Sequence, residues 1–348
     1  MEFNMDNQII NVAVVSLNGM NQSFAEGFYE NPRARIVAVT EDNPPPATGR
    51  GTPEKTQQGN KDGASKLGVP FIESLDDVLS RTDIDAITLT SPFERRASLV
   101  EKIASAGKHI FIDKPMASTL SDADKIIKSV NRHRVKLMVG HNYRFAPPIV
   151  NARQSLKKGD IGLPWAIHSE WIVGAGLKAA DIGEFMNHAM YPIDALMYLI
   201  PSKPKSVYCA TGSFFFENAK QNNVEDLGFI TMNLEQGIIA TTSIGRTSIP
   251  HINGYGGDMN IRIMGSHGMS YLDANRPRWV SYGKSGSKTI KFGPSKNLYD
   301  TVDHFIECII NDVKPMCSAE EARTTLEITL AALQSASENK VVKLPITK

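Results

Sequence analysis

This sequence has few cysteines, almost no net charge and no long apolar run. Its three cysteines, Cys209, Cys308 and Cys317, have neither a CxxC nor a zinc-like spacing, which favours reduced thiols in a cytoplasmic protein. The net charge of +1 argues against a nucleic-acid partner that is attracted by charge. No apolar run reaches the roughly 20 residues of a membrane-spanning helix.

Signals for export and for metal chemistry are also missing. The first residues, Met1 to Asp6, lack the basic and apolar regions of a signal peptide. No P-loop, HExxH or GxSxG motif occurs, so the sequence predicts no metal site. A composition of 41% hydrophobic and 22% charged residues is typical of a globular protein with two domains. We therefore expect a cytoplasmic protein without membrane or nucleic-acid partners.

Residues 8–143 alternate short apolar strands with helical segments, the rhythm of a doubly wound parallel sheet. Strands are expected at 12–15, 36–39, 84–89, 110–112 and 136–139. Helices are expected at 75–79, with Ser74 as N-cap, and at 97–106. A third helix is expected after Ser121, which would be its N-cap and has Asp124 three residues later. Residues 43–63, rich in Pro, Gly, Thr, Lys and Gln, predict a surface loop. The pattern predicts a dinucleotide-binding domain.

Residues 144–348 have a different texture, with longer strand-like stretches. Strands are expected at 165–173, 205–211, 227–234, 237–244, 259–264 and 269–273, with hairpin turns at Gln236-Gly237 and Ser266-His267-Gly268. Helices are expected at 183–199, 298–310 and 318–336. This half predicts a domain with a largely antiparallel sheet and a few helices.

The turn after the first strand is the expected dinucleotide site. A GxGxxG fingerprint would fill it, but its three glycine positions hold Ser16, Asn18 and Asn21, and only Gly19 between them is a glycine. Ser and Asn tolerate unusual φ angles, and their side chains can donate hydrogen bonds to phosphate. We take these residues and Met20 as candidate cofactor-binding residues, although the motif alone is a weak signal.

Glu41 is the candidate for the adenine ribose. It follows the second predicted strand, about 25 residues beyond the turn, where an acid accepts hydrogen bonds from the ribose hydroxyls. Because an acid repels a 2′-phosphate, NAD is favoured over NADP. The alternative is a solvated loop acid.

The stretch Gly107 to Pro115 is the most informative in the chain. Its apolar strand, 110–112, ends in Asp113, Lys114 and Pro115. Ligands bind at the carboxyl ends of strands in open α/β sheets, and a lysine there can carry a proton or hold a substrate hydroxyl. Proline fixes the backbone beyond it and can adopt a cis peptide. The alternative is a surface lysine at a strand end.

With these residues in place, the chain resembles the Gfo/Idh/MocA oxidoreductases, the family of glucose–fructose oxidoreductase and inositol dehydrogenases. The similar segments are Ala106 to Pro115, Gly140 to Pro147, Met186 to Asp194, Ile263 to Gly268, Cys317 to Ala322 and Thr90-Ser91-Pro92. The resemblance implies a Rossmann domain followed by an α/β domain with an open, mainly antiparallel sheet. It also implies that this second domain, residues 144–348, binds the substrate and supports oligomerisation. It places Lys114 after the fifth strand and the Pro turn after the fourth.

The resemblance also implies the chemistry. The family mostly acts on sugars, sugar acids and cyclitols, and passes hydride between a carbinol carbon and nicotinamide. It implies that Ser91, Pro92, Asp113 and Lys114 lie at the cofactor. It implies further that the exposed sheet face of the second domain joins subunits, so we expect a homodimer or homotetramer.

The predicted catalytic residues are Lys114, Asn187 and Tyr191. Inositol dehydrogenase-like members have Asp and His four residues apart on one helix face, where this chain has Asn187 and Tyr191. A tyrosine at the histidine position occurs in the glucose–fructose oxidoreductase and dihydrodiol dehydrogenase branches, as acid/base beside the lysine. Asn187 would then orient a substrate hydroxyl. The alternative for Tyr191 is a core aromatic with a satisfied hydroxyl.

Further candidates for substrate binding are Arg144, Trp171, Lys178 and His188. Arg144 binds a substrate hydroxyl or carboxylate, or ties the domains together. Trp171 and Lys178 lie on a segment that could roof the pocket, although Trp171 is equally a core residue. On an α-helix His188 points about 100° away from Asn187, which favours a packing role.

Two residues with ambiguous roles complete the set. Arg96 reaches the cofactor or is a helix surface charge. Asp194 makes a structural hydrogen bond or lies at the edge of the site.

Three functions follow from these residues. The first is an NAD-dependent oxidoreductase acting on a sugar, sugar acid or cyclitol. The second is a glycosidase, lyase or epimerase that recycles a tightly bound NAD. The third is a catalytically decayed protein that binds a sugar or nucleotide, since three fingerprint glycines and the Asp–His pair are absent.

Overall fold

The structure, a computed structural model, describes residues 8–17, 19–41, 53–250 and 256–346. Asn18, one of the predicted cofactor-binding residues, lies outside this part. The chain divides into two compact units. The first runs to Asn142 and includes Leu298–Arg323, and the second comprises Tyr143–Asn297 with the chain from Thr324 onward. Each unit has its own sheet.

Fourteen strands form two sheets within the described residues. In chain order they are β1 (Ile10–Val15), β2 (Ala34–Thr40), β3 (Ala86–Leu89), β4 (His109–Ile112), β5 (Leu137–Val139), β6 (Pro164–Val173), β7 (Pro204–Gly212), β8 (Leu227–Leu234), β9 (Ile239–Arg246), β10 (Gly257–Gly265), β11 (Gly268–Asp273), β12 (Arg278–Gly283), β13 (Gly286–Lys291) and β14 (Val342–Lys343).

Ten α-helices lie in the same described part of the chain. They are α1 (Met20–Glu30), α2 (Pro53–Leu67), α3 (Leu75–Ser80), α4 (Phe93–Ser105), α5 (Leu120–His133), α6 (Pro147–Lys157), α7 (Met190–Leu199), α8 (Glu217–Gln221), α9 (Asn297–Ile310) and α10 (Ala319–Glu338). A 3-10 turn covers Asn142–Phe145, and a π-helical turn, Phe185–Ala189, directly precedes α7.

The first unit holds a five-stranded parallel sheet in the order β2-β1-β3-β4-β5. Its strands are apolar runs with most side chains buried, as expected of a parallel sheet covered on both faces. Phe111 of β4 contacts Phe24 of α1 at a ring-centroid distance of 4.7 Å and Phe305 of α9 at 5.5 Å. Strand order reverses between β1 and β3, the position where such sheets bind ligands.

The second unit holds a nine-stranded open sheet in the order β13-β12-β11-β10-β6-β9-β8-β7-β14. All neighbours are antiparallel except β6 and β9, which are parallel. One face carries the core, with Ile167, Ile230 and Ile261 essentially buried. The two sheets confirm the predicted fold class. No helix in the described residues is both long and apolar enough to cross a membrane.

Residues 53–63 were predicted as part of a loop, and this prediction was wrong: they belong to α2. The segment contains Gly63, a residue that usually signals a turn. A Cβ on Gly63 would lie 2.3 Å from a methyl group of Leu17, so glycine here permits close packing rather than a turn. The rest of the predicted loop, 43–52, lies outside the described residues.

Three further expectations need correction. The cap of α5 is Thr119, whose hydroxyl accepts a hydrogen bond from the Asp122 N–H, rather than Ser121. Lys114 follows the fourth strand, β4, and not the fifth. In the described residues no full strand lies between β2 and β3, where Phe71 forms only a single bridge to Val39. The helices α6 and α8 and the strands β12, β13 and β14 were not predicted.

Candidate functional site

Two described residues of the turn between β1 and α1 have positive φ angles. Ser16 has φ +67° and Gly19 has φ +58°, both in the left-handed region. Gly19 is the N-cap of α1 and has no side chain to cap it, so the first N–H groups of the helix are not occupied by an N-cap side chain. A helix N-terminus of this kind favours an anion such as a pyrophosphate. Met20 begins the helix.

Asn21 holds this turn together. Its Nδ2 donates to the carbonyls of Ser16 at 2.6 Å and Val15 at 3.3 Å, and its Oδ1 accepts from the Thr88 hydroxyl at 2.5 Å. The side chain is fully buried. The expectation that Asn21 could donate to phosphate is therefore not supported, because its amide is engaged by the protein. It stabilises the turn from inside.

Glu41 lies buried at the end of β2, only 1% exposed, which contradicts the solvated-loop alternative. Its Oε2 accepts from Nδ2 of Asn60 at 3.3 Å, and Oδ1 of Asn60 accepts from the Leu17 N–H at 2.7 Å. Asn60 of α2 thus links Glu41 to the fingerprint turn. Sequence reasoning missed Asn60 because its segment was assigned to a loop.

Buried polar atoms without a partner line the carboxyl edge of the parallel sheet. Among the described residues no hydrogen bond reaches Oγ1 of Thr40, Oε1 of Glu41, Oγ1 of Thr90 or Oδ1 of Asp113. These residues follow or end β2, β3 and β4. Buried groups of this type normally have partners. The edge therefore fits a polar ligand rich in hydroxyl groups, as the ribose parts of a dinucleotide are.

Lys114 lies directly beyond β4 and is 7% exposed. The peptide between it and Pro115 is cis. Its burial contradicts the alternative of a surface lysine at a strand end. Lys114, Asp113 and Ser91 belong to one unit and follow adjacent strands, so the structure brings these predicted residues together at one edge.

Arg96 of α4 clamps the loops around Lys114. Its Nε donates to the Ser91 carbonyl at 2.9 Å, and its Nη1 donates to the carbonyls of Asp113, at 2.6 Å, and Pro115. Burial lowers the pKa of Arg96 to about 10, against the raising effect of Asp113, so the guanidinium is charged at neutral pH. Arg96 is therefore not a surface charge, and it fixes the backbone on both sides of Lys114. Its contact with the cofactor stays a prediction.

In the second unit, Tyr191 lies in an aromatic cluster with Tyr143 and Trp171. The Tyr143 ring is 5.1 Å from that of Tyr191 and 4.7 Å from that of Trp171. Burial raises the pKa of Tyr143 to about 12, and its hydroxyl donates to Sδ of Met259 at 2.8 Å. Trp171 is fully buried, so no face of its ring is available to stack on a sugar, and the core alternative is supported.

The π-helical turn before α7 carries Asn187 and His188, two of the predicted site residues. Nδ1 of His188 is 2.5 Å from Oε2 of Glu184, and Nδ2 of Asn187 donates to the same oxygen at 3.4 Å. The His188 ring lies 6.3 Å from that of Tyr191. The predicted direction of His188, about 100° away from Asn187, stays a prediction. π-helical turns are frequent at functional sites.

Glu184, which the sequence analysis did not select, organises these residues. It is fully buried, and its Oε1 accepts from Nε of Arg246 at 2.9 Å and from the Ala180 N–H at 2.8 Å. Burial favours a higher pKa, but the hydrogen bond and charge of His188 and the charge of Arg246 outweigh it and lower the pKa of Glu184 to about 2. The carboxylate is therefore ionised throughout the neutral range.

Arg144 forms a buried ion pair within the second unit. Its Nε and Nη2 donate to the two carboxylate oxygens of Asp194 at 2.7 and 2.6 Å. Both side chains are at most 3% exposed. This bidentate pair supports a structural role for both residues. Asp194 engages two of the three guanidinium nitrogens of Arg144 that would otherwise bind a substrate carboxylate.

Lys178 lies on the surface, about half exposed, and pairs with Asp181 at 3.3 Å. The predicted position of its segment over the pocket stays a prediction. In the described residues, no group of three His, Cys, Asp or Glu side chains could hold a metal ion. Burial raises the pKa of Cys209 to about 12 and that of Cys308 to about 11, which keeps both thiols protonated.

Comparisons with known proteins agree with this architecture. Residues 10–141 match the model of an oxidoreductase family with an NAD-binding Rossmann fold, and residues 149–271 match the Gfo/Idh/MocA C-terminal domain. Myo-inositol 2-dehydrogenase of Thermotoga maritima is 23% identical, over 80% of this chain and 86% of its own. A 2,7-anhydro-N-acetylneuraminate hydratase of Escherichia coli is 24% identical, over 81% and 87%.

A solved structure shares the fold. Scyllo-inositol dehydrogenase from Lactobacillus casei, with bound NAD(H) and scyllo-inositol, has a TM-score of 0.78 at 20% identity and covers 97% of this chain and 99% of its own. The parallel sheet and the open second sheet match the two family domains in order. The chain therefore belongs to the Gfo/Idh/MocA oxidoreductase family, and its first domain is an NAD-binding Rossmann domain.

Proposed function

We propose that the protein is an NAD-dependent oxidoreductase that oxidises or reduces a carbinol or ketone carbon of a sugar, sugar acid or cyclitol. One observation carries the proposal: Lys114 is buried at the carboxyl edge of an NAD-binding domain, with its backbone fixed by Arg96. The myo-inositol and scyllo-inositol dehydrogenases among the similar proteins support this substrate class.

The residues have separate tasks in this proposal. Bound NAD supplies the hydride acceptor or donor. Lys114 and Tyr191 hold or move the proton of the substrate hydroxyl, and Asn187 orients that hydroxyl. The turn residues Ser16, Asn18, Gly19 and Met20 and the edge residues Ser91, Pro92 and Asp113 bind the cofactor together with Glu41, while Asn21 holds the turn from inside.

The test is a screen of sugars, sugar acids and cyclitols with NAD⁺ and NADP⁺, followed by absorbance of reduced nicotinamide. We expect turnover of at least one compound with NAD⁺. A chain that binds neither cofactor at millimolar concentration by calorimetry would contradict the proposal and favour a decayed binding protein.

We expect Glu41 to set the preference for NAD. Its carboxylate accepts from ribose hydroxyls and repels a 2′-phosphate, so Glu41→Gln should reduce the ratio of NADP to NAD dissociation constants about 10-fold, the value of one hydrogen bond to a charged group. Calorimetry measures the ratio. Glu73→Gln, an exposed acid in the same domain, should leave it unchanged. An unaltered ratio in Glu41→Gln would remove Glu41 from the ribose site.

A second function, recycling of a tightly bound NAD during elimination, hydration or epimerisation, is favoured by the similar hydratase from Escherichia coli. Oxidation at one carbon acidifies the neighbouring C–H bond, which permits loss of a group before re-reduction. Purified protein would then show nicotinamide absorbance and form product without added NAD. A strict requirement for added NAD⁺ supports the dehydrogenase.

We also propose that the outer face of the second sheet joins copies of this chain. The register aligns Ile239, Ala166, Met264, Met269 and Tyr282 across five neighbouring strands. Four of these apolar side chains are 38–55% exposed. A contiguous apolar row of this kind marks an interaction surface, and an antiparallel sheet face can pair with itself by two-fold symmetry.

Light scattering tests this surface. We expect the mass of a dimer or tetramer for the native chain, and a smaller mass for Met264→Glu, because burying a carboxylate in the interface is unfavourable. Tyr29→Glu, which adds the same charge at an exposed apolar residue of α1, is the control. A native monomer, or an unchanged mass in Met264→Glu, would contradict the proposal.

A further inference from the structure

Two pairs of residues that are four positions apart lie along the π-helical turn and the start of α7. Asn187 and Tyr191 occupy the positions where inositol dehydrogenase-like relatives have Asp and His. Three residues earlier, Glu184 and His188 form a carboxylate–imidazole pair with 2.5 Å between Oε2 and Nδ1. Asn187 and Tyr191 therefore lack a carboxylate and an imidazole, and Glu184 and His188 provide both groups three residues nearer the N-terminus.

We propose that Glu184 and His188 form the proton-carrying pair of this enzyme and that His188 exchanges its proton with Tyr191. The inference rests on the proposed oxidoreductase function. Glu184 is a positioning residue, because its carboxylate faces Nδ1 of His188. The neutral ring therefore carries its proton on Nδ1, and Nε2 takes up the second proton when the ring becomes an imidazolium. His188 and Tyr191 lie with ring centroids 6.3 Å apart and planes tilted by 33°.

The proton balance is complete. During oxidation the O–H bond of the carbinol breaks and its proton passes to the Tyr191 oxygen as the Tyr191 proton moves to Nε2 of His188. The C–H bond breaks, hydride passes to nicotinamide and the C=O bond forms. His188 becomes an imidazolium beside the Glu184 carboxylate and releases its proton to water, and reduction reverses each transfer.

The charges around His188 suit this task. Glu184 stabilises the imidazolium, while Arg246, which shares that carboxylate, keeps Glu184 ionised. Glu225, whose like charge interacts with Glu184, accepts from the Phe185 N–H at 2.9 Å, and burial raises the pKa of Glu225. Since the pKa of Glu184 is held at about 2, a titration seen between pH 5 and 9 is not that of Glu184.

The first test needs no substrate. Nitrogen-15 spectra of the histidine rings of the full chain are recorded from pH 5 to 9, with His188 assigned by its absence in His188→Gln. We expect the native ring to carry its neutral-state proton on Nδ1, and Glu184→Gln to move the titration midpoint of His188 to lower pH. An identical midpoint in Glu184→Gln would overturn the pair, whether or not a substrate is known.

The second test uses the polyol that is turned over in the screen. We expect His188→Gln to lower kcat about 100-fold with little change in KM, a typical loss for a general acid/base, and Glu184→Gln to move the acidic limb of the pH profile to lower pH. His133→Gln, from the exposed pair of His133 and Glu101, is the control. If the native chain is active and His188→Gln has the same kcat, the inference is overturned but the proposed function is not. If the native chain itself turns over no compound in the screen, the result contradicts the proposed function, and the nitrogen-15 test still decides the pair.

Discussion

Replacement of Lys114 by methionine is expected to abolish turnover and to leave NAD binding nearly unchanged. Methionine has a similar length and fits a buried position, but it carries no proton and no charge. Loss of a general acid/base alone lowers a rate about 100- to 10,000-fold. The measurements are kcat on the polyol found in the screen and the NAD dissociation constant by calorimetry.

Lys102→Met is the matched control for this variant. Lys102 lies on α4, is about 43% exposed and pairs with Asp76 on the surface. Its loss should change neither kcat nor NAD affinity, because exposed ion pairs contribute little. Retained turnover in Lys114→Met would end the catalytic assignment, and a large loss of NAD affinity would assign Lys114 to the cofactor instead.

Breaking the buried pair of Arg144 and Asp194 is expected to cost about 3–5 kcal/mol of unfolding free energy. Arg144→Met leaves the Asp194 carboxylate in a site that is 2% exposed without its bidentate partner. The double variant Arg144→Met/Asp194→Leu should recover most of this loss, since it removes both charges. Urea unfolding measures the change as a shift in midpoint.

Tryptophan fluorescence makes this measurement specific to the second unit. All three tryptophans, Trp165, Trp171 and Trp279, lie in that unit. Lys178→Met, which removes an exposed pair of the same unit, should shift the midpoint little. An unshifted midpoint in Arg144→Met would mean that the guanidinium does not stabilise this unit and would reopen its role toward substrate.

Much of the fold follows from local patterns in the sequence. The strands β1, β2 and β4 are apolar runs that a covered parallel sheet buries, and their order along the chain predicts the first domain. The cap of α5 was predicted wrongly, because Thr119 with Asp122 and Ser121 with Asp124 have the same spacing. Sequence alone does not choose between two equal cap signals.

The site was predictable only where one segment carries the signal. Lys114 and Glu41 stand at strand ends, so their positions follow from the strands. Asn60 and Arg96 act across contacts between separate segments, which no local pattern encodes. Glu184 and His188 have the four-residue spacing that makes side chains neighbours on a helix, but that spacing does not show that the pair is buried or that Arg246 shares the carboxylate.

The clamp of Arg96 has a consequence for the rate of the chemical step. One guanidinium fixes the carbonyls of Ser91, Asp113 and Pro115 before any substrate arrives. In the proposed reaction, the backbone that carries the Lys114 side chain therefore does not have to move when charge develops at the reacting carbon. Peptide dipoles and a lysine that are already in place lower the reorganisation energy of the transfer. The rigidity that the buried Arg96 gives to this backbone would therefore lower the activation barrier.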